Sequence, residues 1–251
     1  MFRLVLVLLV LVLCVRAAAS EIVAFETGAQ PRIDIRGRLA RPSGRGPFPA
    51  VELLHSCLGM AENLGAYEHA LTGAGYVTLF VDDFTDRGLH ETCAVDFPEG
   101  LGDARGALRY LSRLPYVDPR RVAVVGFSQG ADTTLRLAER RGAYRAAAAF
   151  YPPCANIAGS RLEIPTLILV GALDGVTPAS DCAALAHEHV GEARLVVYPG
   201  ASHAFDNPAF AGGVERFGMR LQYDRDAAER SMRELLQFLG AELSRAPAIS
   251  R

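Results

Sequence analysis

Neither charge sign dominates this chain: 26 basic residues face 28 acidic ones over 251 positions, with no block of one sign. That excludes a nucleic-acid surface or a polybasic membrane contact as the basis of function. There is also no C-x-x-C pair and no Cys/His group at ligand spacing, so no zinc site and no other metal centre is expected. No internal repeat or low-complexity linker divides the chain. Its longest apolar run, residues 4–15, would rise only ~18 Å as a helix, against a hydrocarbon core of ~30 Å. No stable membrane anchor is expected.

That run has another reading. Arg3 precedes it, and Ala17, Ala18 and Ala19 follow it with small side chains. This is the pattern of a secretory signal peptide over residues 1–20, cut near Ala19 or Ser20. A lipoprotein cut at Cys14 would want a small residue where Leu13 stands. Loss of the leader removes Arg3 and Arg16 and takes the formal charge from −2 to −4. The expected location is secreted or periplasmic. Four cysteines then remain, Cys57, Cys93, Cys154 and Cys182. An even number in an oxidising compartment implies two disulfides, and the residues alone leave all three pairings open.

What is present is a large apolar fraction, half of all residues, enough for one substantial core. Residues 21–251 read as one domain. Residues 22–27 and 32–40 alternate loosely and suggest an opening hairpin. Short apolar runs at 50–54, 76–81, 121–127, 146–151, 165–173 and 193–198 then alternate with helical patterns at 61–73, 101–114, 130–140, 178–189 and 226–243. Strand–helix alternation of this kind predicts an α/β fold, a mostly parallel central sheet flanked by helices in three layers. Sites in such sheets gather at the carboxyl ends of the strands.

Gly126-Phe127-Ser128-Gln129-Gly130 meets that requirement. A β-rich run enters G-x-S-x-G and a helical pattern leaves it, the context of a nucleophile elbow. A serine hydroxyl needs a base to take its proton, and the base needs an acid to orient it. Asp174 follows one strand and His203 the next, in the order Ser, Asp, His. The other histidines fit less well. His69 lies in mid-helix, His187 and His189 end a helix, His90 precedes the elbow, and His55 is read as shaping a turn. Asp181 and Asp206 are read as solvated. The Gln129 N–H supplies one oxyanion donor, and the Cys57 N–H, on the loop after an early strand, supplies the second.

These segments together resemble the dienelactone hydrolase family of α/β-hydrolases. The resemblance rests on LLHSCLGM at 53–60, VDDFTDRGL at 81–89, GFSQG at 126–130, GALDGVTP at 171–178 and ASHAFDNP at 201–208. It implies the α/β-hydrolase fold, hydrolysis of a small-molecule ester or lactone, and no metal or organic cofactor. Two departures modify this. The family's best-known members carry a nucleophilic cysteine, tuned by a glutamate on the early loop. Here Ser128 and Ser56 occupy those positions, a pair of changes consistent with serine-esterase chemistry. The archetype also clamps a substrate carboxylate between two arginines. Arg87 matches the first and is the candidate substrate-binding residue, with an ion-pair role as its alternative; Asn207 stands in place of the second. The resemblance further implies the pairings Cys57–Cys93 and Cys154–Cys182.

The expected activity is therefore hydrolysis of a carboxylic ester or lactone by Ser128, Asp174 and His203 through an acyl-enzyme. A peptidase of the same fold and a catalytically silent binding protein are the alternatives. The sequence assigns no oligomeric state and does not name the ester.

Overall fold

The computed structural model describes residues 20–60, 63–95, 97, 99–216 and 218–244. The leader expected over residues 1–20 lies outside them, save Ser20. The strands are β1 (Ser20–Glu26), β2 (Asp34–Ala40), β3 (Phe48–Leu54), β4 (Val77–Asp82), β5 (Val117–Phe127), β6 (Ala146–Phe150), β7 (Thr166–Gly171), β8 (Ala193–Tyr198), β9 (Val214–Arg216) and β10 (Met219–Leu221). The α-helices are α1 (Leu64–Gly73), α2 (Gly100–Leu111), α3 (Gln129–Ala138), α4 (Ala179–Glu188) and α5 (Arg225–Ser244).

Eight strands form one sheet in the order β1-β2-β4-β3-β5-β6-β7-β8. β1 and β2 form the expected antiparallel hairpin, and β2 is antiparallel to β4. From β4 to β8 every neighbouring pair is parallel. The period-2 alternation of each central strand feeds two cores. Val122 and Val124 of β5 pack with Ala104, Ala107 and Leu111 of α2, Leu135 of α3 and Leu185 of α4. Ala123, Val125 and Phe127 face the other way, toward Tyr67 and Leu71 of α1 and Leu235 and Leu239 of α5. Each fully buried Val or Leu contributes about 1.5–3 kcal/mol. This is the three-layer α/β-hydrolase architecture.

Two details depart from the sequence pattern. β5 begins at Val117, because residues 118–121 bulge between the pairs Phe48–Val117 and Ala50–Val122. Pro119 within that bulge has no N–H for the ladder. The hairpin β9–β10 has no counterpart in the apolar pattern; it turns at Gly218, whose φ of 71° suits glycine.

One core position is ionisable. Glu52 shares one face of β3 with Ala50 and Leu54 and is wholly buried. The Tyr144 hydroxyl donates to its Oε2 (2.9 Å), while Oε1 has no partner among the described residues. Burial raises its pKa well above the usual carboxylate range, against the opposing Tyr144 hydrogen bond. The folded state thus retains a proton that the unfolded chain releases, so stability from this group falls as pH rises above the unfolded value. Glu52→Gln removes that slope. Thermal midpoints of wild type and variant between pH 5 and pH 8 are expected to diverge in favour of the variant as pH rises. A constant difference would refute the assignment.

Candidate active site

The carboxyl ends of β3, β5, β7 and β8 meet at one edge of the sheet. Ser128 lies between β5 and α3 with φ 51° and ψ −109°, and its N–H donates to Phe150 O (3.0 Å). Glycine is required on both sides of this turn. A Cβ on Gly126 would collide with the Gly130 carbonyl, and one on Gly130 would collide with the Leu54 carbonyl. The turn can therefore close against β3, and Ser128 Oγ stands at the amino end of α3, where the helix dipole favours negative charge.

Ser128, His203 and Asp174 form a hydrogen-bonded chain. His203 Nε2 is 3.0 Å from Ser128 Oγ, and Nδ1 is 2.8 Å from Asp174 Oδ2. Asp174 Oδ1 accepts from the Val176 and Thr177 amides, and Oδ2 from the Thr177 hydroxyl. A carboxylate so placed makes Nδ1 the protonated nitrogen and leaves the Nε2 lone pair facing the serine hydroxyl. The two loops can meet because Gly171 ends β7: a Cβ there would strike the Ala201 carbonyl. Leu173 N–H then donates to Ala201 O (2.9 Å), tying the aspartate loop to the histidine loop.

Cys57 and Gln129 both line the cleft beside Ser128. Cys57 forms a disulfide with Cys93, with Cα atoms 4.8 Å apart. Next to it, Thr92 N–H donates to Cys57 O (2.9 Å) and the Thr92 hydroxyl donates to Gln129 Oε1 (2.9 Å). One short segment thus fixes both candidate oxyanion donors. Cys154 and Cys182 form the second disulfide, joining the segment after β6 to α4. Both pairings match those implied by the family resemblance.

Arg87 is not among the residues that line the cleft, and its contacts are those of the ion-pair role, the alternative to substrate binding. Its guanidinium is 2.8 Å from Asp103 Oδ2 and donates to Asp83 O (2.6 Å), with only 14% of the side chain exposed. It lies over the Phe97 ring, 5.6 Å from the centroid, and Phe97 is one of the residues lining the cleft. Asn207 is also structural: its Oδ1 caps a short 3-10 turn by accepting from Ala209 N–H (3.0 Å).

Other residues fall as follows. His69, His90 and His187 are exposed. His55 is buried and shapes the turn after β3: its Nδ1 lies 2.8 Å from Ser56 O, its Nε2 accepts from Asp83 N–H (3.3 Å), and burial lowers its pKa, keeping it neutral. Asp181 is half-buried in the first turn of α4. Asp206 is not solvated, as its loop context suggested, but 6% exposed. It accepts from the hydroxyls of Tyr67 (2.7 Å) and Tyr151 (2.8 Å) and from Asn63 Nδ2 (3.1 Å). Burial raises its pKa although all three bonds oppose the shift. Thr177 and Tyr151 were not singled out from the sequence. Thr177 had a local signal, three residues after Asp174 in a turn; Tyr151 had none.

The cleft encloses about 700 Å³ and is open to solvent. Leu58, Val95, Phe97, Leu101, Val176 and Leu221 give it an apolar wall. Arg136 is the one arginine among the described residues that line it, and it is paired with Asp132 (2.8 Å).

The chain is similar to several known proteins. Cutinase 2 of Thermobifida cellulosilytica is 29% identical over 148 residues, covering 57% of this chain and 54% of that protein. Cutinase cut1 of Thermobifida fusca is also 29% identical, over 57% of this chain and 44% of its own length. The chain thus spans about half the length of the curated relatives it matches. Among solved structures, a putative dienelactone hydrolase from Klebsiella pneumoniae superimposes with a TM-score of 0.71 at 22% identity, covering 88% of this chain and 99% of that one. A dienelactone hydrolase-like promiscuous phosphotriesterase from metagenomic libraries gives 0.75 at 20% identity, covering 90% and 99%. The model of the dienelactone hydrolase family matches residues 35–243, so the chain belongs to that family.

Proposed function

We propose that this chain is an exported serine hydrolase of uncharged carboxylic esters or lactones. The observation that carries the reading is the chain Ser128 Oγ to His203 Nε2 to Asp174 Oδ2, at 3.0 and 2.8 Å, opening on an apolar cleft. Ser128 Oγ bonds to the ester carbonyl carbon while its proton passes to His203 Nε2. The Gln129 and Cys57 N–H groups receive the oxyanion. The C–O bond to the alcohol then breaks, and the alcohol leaves with the proton from His203. Water, deprotonated by the same nitrogen, releases the acid and restores Ser128. Asp174 holds the tautomer and stabilises the imidazolium. The cutinase names of the curated relatives support ester hydrolysis. The apolar leader and two disulfides support export.

The uncharged substrate follows from the cations: Arg87 is committed to Asp103 and Arg136 to Asp132. The test is kcat/KM for p-nitrophenyl butyrate against the mono-p-nitrophenyl ester of succinate, together with labelling by a fluorophosphonate probe. The butyrate is expected to be preferred at least ~10-fold, a difference of about 1.4 kcal/mol. The probe is expected on the peptide bearing Ser128. Absence of label supports a silent binding protein, and turnover of peptide anilides but not esters supports a peptidase; either result overturns the reading.

A further inference from the structure

Among the described residues, three non-glycine residues have positive φ: Ser128 at 51°, Tyr151 at 41° and Ala204 at 54°. Such conformations persist only where the surroundings over-determine them, and they concentrate at functional sites. The strain at Ser128 belongs to the elbow. The other two flank His203: Ala204 follows it in the chain, and the Tyr151 ring meets the imidazole edge to face, 4.7 Å between centroids. Tyr151 is held by a carboxylate on the histidine loop. Asp206, three residues after His203, accepts from the Tyr151 hydroxyl on Oδ1, and from Tyr67 and Asn63 on Oδ2. It thereby fastens the histidine loop to the end of β6 and to the start of α1. The backbone of Tyr151 is fixed as well, with its N–H donating to Leu169 O (2.6 Å).

We propose that Tyr151 and Asp206 are positioning residues for His203, acting as a buried brace that sets the imidazole against Ser128; this rests on His203 being the general base. A brace built only for stability would not need a carboxylate, since well-packed apolar groups of similar volume serve as well or better than buried charge. Here each of its bonds instead ends on the loop that carries His203. The cluster also provides an internal control. Tyr67 bonds to the same carboxylate, yet its ring packs against Phe127 and Phe150, with no ring contact to His203. A purely structural cluster treats Tyr67 and Tyr151 alike, and a positioning brace does not.

The experiment compares wild type, Tyr151→Phe, Tyr67→Phe and Asp206→Asn as full chains hydrolysing p-nitrophenyl butyrate, with thermal midpoints alongside. Small misplacements of a reacting group cost up to ~100-fold. Tyr151→Phe is expected to lower kcat about 10-fold with KM within about twofold, and Asp206→Asn to lower kcat further. Tyr67→Phe is expected to lower the midpoint about as much as Tyr151→Phe while keeping kcat within about twofold. Equal kcat changes in the two tyrosine variants, or an unchanged kcat in Tyr151→Phe, overturn the inference. If Asp206→Asn does not fold, the tyrosine pair decides. Failure of the underlying reading looks different: wild type then has no esterase activity, or Ser128→Ala retains it.

Discussion

Replacing Ser128 by alanine is expected to lower kcat for p-nitrophenyl esters about 10⁶-fold, with the thermal midpoint little changed. The size follows from the geometry. In the proposed mechanism the hydroxyl alone links His203 to the ester carbonyl, and it lies 3.0 Å from His203 Nε2. Without it the imidazole has no proton to take from a nucleophile, and water attack must proceed on binding and oxyanion stabilisation alone, roughly 10³–10⁴ over the uncatalysed rate. The fold should tolerate the change, because Ser128 is held by its backbone N–H to Phe150 O and by glycines on either side. Alanine removes no contact on which the turn depends. Steady-state rates, titration with a fluorophosphonate and a melting curve check the three parts. Turnover comparable to wild type in a correctly folded variant would remove Ser128 from the chemistry.

Replacing Arg87 by alanine is expected to destabilise the fold by about 3–5 kcal/mol, which in a chain of this size lowers the thermal midpoint by about 10 °C. Asp103 is fully buried and takes the guanidinium as its cationic partner; the Thr27 hydroxyl also donates to it. Asp83, buried beside them, already has its pKa pushed well up, first by burial and then by Asp103, with Arg87 opposing. Without Arg87, buried carboxyl groups are left without their cation, the costly way to break a buried pair. The anion-clamp role predicts the opposite pattern: an unchanged midpoint and a raised KM confined to anionic esters. A melting curve with KM for the butyrate and the hemisuccinate separates the two. The expected result is a large loss of stability and equal effects, if any, on both KM values.

The layout of the site was legible where chemistry and backbone geometry coincide in a few adjacent residues. Gly126 to Gly130 identifies itself because only glycine fits on either side of the turn. Asp174 and His203 follow from chain order and from their places just after β7 and β8. The sequence left the role of Arg87 open and misread Asp206 as solvated, for a shared reason. A loop position suggests solvent and ligands, but here each loop side chain turns inward to partners distant in sequence: Asp103 for Arg87, and Tyr67, Tyr151 and Asn63 for Asp206. No local pattern records such a partner. The hairpin β9–β10 and the bulge in β5 escaped notice because they are short and break the period on which the reading depended.

By itself the sequence determined the alternating strands and helices, the elbow with Ser128, and the order of Asp174 and His203 behind it. These depend on local periodicity, steric limits at glycine and the sense of the chain. Only the tertiary structure decided which charges are free. It committed Arg87 to a buried pair with Asp103 and drew Asp206 to the hydroxyls of Tyr67 and of Tyr151, whose ring meets His203. The physical reason is that the cost of burying a charge depends on what the completed fold places beside it, and those neighbours come from strands and helices far apart along the chain.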